Sequence, residues 1–115
     1  MKFTLLIFAF LSGVSLTHAQ VVITEIMYDL EGSDTGREWV EVQNVSAQAI
    51  DFSLWRFFEG ETNHKIEVVQ GDAIISPGSY AVLADNSEKF KADWPQFSGT
   101  IFNSSFYSEP FIRTN

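Results

Sequence analysis

From Val21 onward the chain consists of short β-branched and aromatic runs, each cut within a few residues by Gly, Pro, Asn, Asp or Ser. No apolar pattern with a 3.6-residue period runs for a useful length, so the segments have to pair edge to edge and stack face to face. The spacing predicts an all-β sandwich, with strands at about Val21–Tyr28, Glu38–Asn44, Leu54–Phe58, Lys65–Val69, Ala73–Ile75, Ser79–Ala84 and Thr100–Phe106. "LEGSDTG", "NVSAQAID" and "GETNH" read as loops. In "SPGS", Pro77 presets φ and Gly78 takes the positive φ of a type II turn. "NSEKFKADWP" predicts one short crossover helix: Asn86 or Ser87 caps it, Glu88 suits its first turn, Phe90 and Trp94 share a face, and Pro95 ends it.

The first residues are set apart from this fold. "MKFTLLIFAFLSGVSLTHAQ" has a basic start at Lys2, an apolar stretch and a small residue before Gln20, the three parts of a secretory leader cleaved after Ala19. The apolar run is shorter than the ~20 residues of a membrane span, so no stable membrane insertion is expected after cleavage. That leaves residues 20–115 as one small domain in a secreted, periplasmic or cell-surface setting. There is no cysteine, hence no disulfide framework, and stability has to come from the core. Eleven Phe and three Trp supply one. Formal charge is −8, and the six basic residues after the leader are scattered, which argues against a nucleic-acid partner.

The carboxylates of "VVITEIMYDLEGSDTGREWVEVQNVS" are the feature most suggestive of chemistry. An EF-hand loop requires Gly at position 6 and Glu at position 12. Counting from Asp29, these positions hold Asp34 and Val40; counting from Glu31, they hold Gly36 and Val42. Neither register works, and Asp29, Glu31 and Asp34 remain only weak candidates for an irregular metal site, with no cofactor expected. Period-2 alternation puts Glu25 on the face of Val21, Ile23 and Met27, and Glu38 on that of Val40 and Val42. Both are therefore expected to point partly inward, as structural carboxylates held by Arg37, a backbone N–H or a Ser/Thr hydroxyl. A catalytic dyad is the competing reading, but no nucleophile accompanies them. Glu41, on the other face with Gln43, is expected outward.

Other catalytic sets are incomplete. His64 is the single histidine after the leader, which excludes two-His metal motifs, and Ser79 lacks the G-x-S-x-G setting of a hydrolase nucleophile. Asn44-Val-Ser and Asn103-Ser-Ser satisfy the N-glycosylation pattern. Trp39, Trp55, Phe57 and Phe58 could line a sugar-binding face, against the simpler expectation that they fill the core.

The string Glu25–Tyr28, a polar Gly/Ser/Asp loop, Glu38–Asn44, Asp51–Trp55 and the Pro77–Ala84 hairpin resembles the lamin tail domain in its bacterial, exported form. The resemblance extends through "FKADWPQFSGTIFNSSF" and implies an immunoglobulin-like β-sandwich without catalytic activity. Two positions depart from the pattern: Thr24 stands where Asn is common, and Leu54 where Gly is common. The family continues beyond "SSF" with further strands, whereas this chain runs "YSEPFIRTN"; the expectation is a C-terminally incomplete sandwich with an open edge that a strand-donating partner could fill. The leading functional expectation is an exported, non-enzymatic module for binding or surface attachment, with a protein or glycan partner. The alternatives are a metal-dependent hydrolase or nuclease using the acidic loop, and a carbohydrate-binding module using exposed aromatics.

Overall fold

Gly60 and Glu61 both take positive φ (51° and 68°), the two-residue geometry that lets adjoining strands fold back with their natural twist. Strands therefore continue to both sides of this turn, and Thr62–His64, read from sequence as loop, belongs to a nine-residue strand. The computed structural model describes residues 18–105. In chain order its elements are β1 (Val21–Met27), β2 (Trp39–Asn44), β3 (Ile50–Asp51), a 3-10 turn (Phe52–Leu54), β4 (Arg56–Glu59), β5 (Thr62–Gln70), β6 (Ile74–Ile75), β7 (Tyr80–Ala84), α1 (Ser87–Asp93) and β8 (Thr100–Ser105). The leader expected over 1–19 and the chain after Ser105 lie almost wholly outside the described residues.

Six strands form one sheet in the order β1-β2-β7-β8-β5-β4, and β3 pairs with β6 in a small second sheet. Every pairing is antiparallel except β7 with β8. A parallel pair needs a crossover, and α1 supplies it. Asn86 caps the helix as expected, its Oδ1 accepting from the Lys89 N–H at 3.0 Å, and Phe90 buries the inner face. Asn103 on β8 fixes the helix start to the sheet by accepting from the Ser87 N–H at 2.8 Å.

The large sheet carries apolar side chains on both faces, so it divides two cores. On one side Val40, Val42, Ile66, Ala81, Leu83 and Phe102 pack against Phe52 and Ile75 of the small sheet and its 3-10 turn. On the other, Trp39, Val82, Ala84 and Ile101 pack against Phe90 of α1. Fully burying a side chain such as Phe102 contributes about 1.5–3 kcal/mol. The sheet is curled: residues Val21–Ile23 of β1 and Arg56–Phe57 of β4 line one cavity, although in a flat sheet these edge strands would stand about 24 Å apart. This mostly-β arrangement with one helix is consistent with an immunoglobulin-like sandwich. The "SPGS" turn forms as read, with Gly78 at φ 77° and the Ser79 N–H donating to the Ser76 carbonyl.

Candidate functional site

The acidic stretch is two strands and a latched loop. Asp34 Oδ1 accepts from the Leu30 N–H at 2.9 Å, closing the loop on itself. Arg37 donates from Nη1 to the carbonyls of Glu31 and Ser33, and grips Asp93 at the end of α1 through Nε (2.8 Å) and Nη2 (3.2 Å). That hydrogen bond, helped by the charges of Asp93 and Asp34, raises the Arg37 pKa further. Lys89 adds a bond to the Thr35 carbonyl. Among the described residues no three His, Asp or Glu side chains gather as a metal-holding group, so Asp29, Glu31 and Asp34 are not brought together.

Glu25 and Glu38, expected to point inward, are both exposed. For Glu25 the cause is a β-bulge. Ile23 pairs with Val42, but Glu25 pairs with Glu41, leaving Thr24 as the extra residue. One added residue reverses the alternation, so Glu25 crosses to the face of Glu41 and Trp39 while Val21 and Ile23 stay on the other. Thr24 hydrogen-bonds Glu41 Oε1 at 2.8 Å. Glu38 sits just before β2 at an exposed strand entrance, and Arg37, its expected partner, is committed to Asp93.

Asn44, at the end of β2, is the polar centre that the carboxylates were expected to be. It is fully buried; its Nδ2 donates to the carbonyls of Gln48 (2.8 Å) and Ile75 (2.9 Å), and its Oδ1 accepts from the N–H and hydroxyl of Ser46. The amide thus joins β2, the following loop and the small sheet. In the folded chain the nitrogen that a glycan would need is buried and engaged.

Two of the depressions among the described residues bring together side chains that the sequence singled out. The first, about 390 Å³, lies at one end of the sandwich and is lined by Glu38, Glu59, His64, Asp85 and Ser104 among others. Burial raises the Asp85 pKa, with Glu59 adding to the effect and His64 and Lys89 opposing it. His64 is buried beside Phe57. Ser104 is not poised as a nucleophile, because its hydroxyl donates to the Ala84 carbonyl.

The second depression, also about 390 Å³, runs between β2 and α1. Trp39, Phe90, Trp94 and Phe97 form its floor and walls, with Trp39 meeting Phe90 and Trp94 edge to face at 5.7 and 6.1 Å. Gln70 steadies the outer wall by donating to the carbonyls of Phe97 and Gly99. Glu25, Glu41 and Asp93 edge the groove. Of the aromatics read as a sugar face, Trp39 is buried here, Phe57 turns into the opposite core, Trp55 stacks on Phe52, and Phe58 points out from the edge strand β4. Trp55 and Phe57 line one depression, whereas Phe58 takes the other side of β4 by strand alternation and Trp39 lies in the core cluster with Phe90. Sequence reading missed this groove, although Phe90 and Trp94 at i,i+4 were its signal.

Among the described residues, a curled β-sheet with one crossover helix is consistent with an immunoglobulin-like module. The family model of the Lamin Tail Domain matches residues 15–109, and the chain belongs to that family. Searches of the curated proteins and of the solved structures find no match.

Proposed function

We propose that this chain is an exported, non-catalytic lamin-tail module that binds a partner at a cell surface or in the extracellular space. The observation that carries the reading is the aromatic groove between β2 and α1, an apolar recess with an exposed Trp94 on a rigid scaffold. Export is argued from the leader sequence before Gln20. The acidic loop does not favour a hydrolase: its best-placed carboxylate and its arginine are spent on holding the loop. Edge strands β1 and β4, with Ile23, Ile26 and Phe58 exposed, offer a place for an added strand.

The test has two arms. Expression of the full chain in a secreting host should release a product whose first residue is Gln20. A panel of ester, glycoside and phosphodiester substrates, with and without Mg²⁺ or Ca²⁺, should show no turnover. Turnover lost on Glu25→Gln or Glu38→Gln would overturn the non-catalytic reading.

A further inference from the structure

The groove has a charge pattern that its own fold compensates only at Glu41, whose Oε1 accepts the Thr24 hydroxyl at 2.8 Å. Glu25 and Glu41 stand directly opposite each other on β1 and β2, both facing the groove, and directly opposed like charges destabilise a sheet. Among the described residues neither is in an ion pair, and no Lys or Arg lines the groove. The bulge at Thr24 is what creates the pair; without it Glu25 would face the other way. Beside the two carboxylates lies Trp94, 44 % exposed, so an aromatic surface adjoins a doubled negative charge. Trp39, which forms the floor, is 9 % exposed, and its buried Nε1–H has no acceptor among the described residues.

We propose that this groove docks a polypeptide segment bearing lysine or arginine, with the cationic side chain lying across Trp94 and its head between Glu25 and Glu41. A cation is attracted both by the indole and by the paired carboxylates, and it relieves their repulsion. The chain's net charge of −8 steers a basic segment toward the groove. A neutral pyranose would use the aromatic wall but leave the Glu25–Glu41 repulsion in place, so the charge pattern favours the basic segment.

The inference deepens the binding-module reading and rests on it. The experiment is a titration of tryptophan emission in the full chain with the peptide Ac-Gly-Lys-Leu-Lys-Gly-NH2, its glutamate and norleucine counterparts, and cello- and chitohexaose. The lysine peptide should saturate and weaken with added NaCl, and its counterparts should not bind. Glu41→Gln should weaken binding about fivefold and Trp94→Ala about tenfold. Glu25→Lys should abolish binding while raising the melting temperature, because opposite charges then face each other across the strands; this separates lost binding from lost folding. Absence of saturation by the lysine peptide, equal binding of the glutamate peptide, or unchanged binding by the Glu25→Lys variant would overturn the proposal. Saturation by a hexasaccharide alone would also overturn it, while leaving the binding-module reading intact.

Discussion

Arg37 grips Asp93 across a separation of 56 residues, with two hydrogen bonds between one guanidinium and one carboxylate. The same side chain takes two loop carbonyls with its remaining nitrogen, so a single residue ties the acidic loop to the end of α1. Only the planar fork of arginine serves all these acceptors at once; lysine, a compact point donor, cannot.

Arg37→Ala should accordingly loosen the loop over residues 28–37 more than it destabilises the sheet. Hydrogen exchange should accelerate at Leu30 and Arg37, whose amides bond within the loop, and stay slow in β7 and β8. Arg37→Lys should recover only part of the protection. Uniform acceleration across the chain would show that the latch is not local.

Asn44 offers a sharper stability test. Asn44→Ala leaves buried carbonyl and N–H groups without their partner and should cost about 2–4 kcal/mol. Asn44→Asp should cost at least as much, since it turns a carboxylate oxygen toward the carbonyls of Gln48 and Ile75. Urea unfolding midpoints measure both, and a loss under 1 kcal/mol for either variant would contradict the role given to this amide. In a glycosylating host, folded protein should carry no glycan at Asn44.

Two positive-φ positions should respond in opposite directions. At Gly71 (φ 79°) an added Cβ would lie 2.5 Å from Thr100 Oγ1 and 3.0 Å from its Cα, so Gly71→Ala should cost about 3 kcal/mol from backbone strain and clash together. Glu61 already carries a side chain at φ 68°, and Glu61→Gly should stabilise by about 0.5–1 kcal/mol. Thermal melts of the two variants check the pair; a Glu61→Gly variant less stable than the parent would show that its side chain contributes more than its backbone strain costs.

The pH dependence can be read through Asp85. Burial raises its folded pKa above the unfolded value, so its contribution to stability is greatest below the unfolded pKa and is lost as pH rises through the folded one. Asp85→Asn should therefore be more stable than the parent at pH 7, with the gap closing as pH falls through the carboxylate range. Asp51 runs the other way: the Ser53 hydroxyl and N–H lower its pKa, and its contribution is lost on acidification. Because Asp51 is common to both proteins, the parent-minus-variant difference isolates Asp85. A gap independent of pH would contradict the assignment.

By itself the sequence determined the rhythm of the fold. Most strand positions, the Pro77–Gly78 turn and the Asn86-capped helix ending before Pro95 follow from local preferences that a few neighbouring residues decide. The short β3 strand, Ile50–Asp51, was hidden because its partner Ile74–Ile75 lies far along the chain and two residues carry no period. Which face each carboxylate takes was decided only in three dimensions. Alternation sent Glu25 inward, but a single unpaired residue, Thr24, moved it to the far side of the sheet and set it against Glu41. The groove likewise belongs to tertiary structure: the antiparallel β1–β2 pairing brings Glu25 beside Trp39, and the parallel β7–β8 pair requires the crossover that lays α1, and with it Trp94, across that face of the sheet.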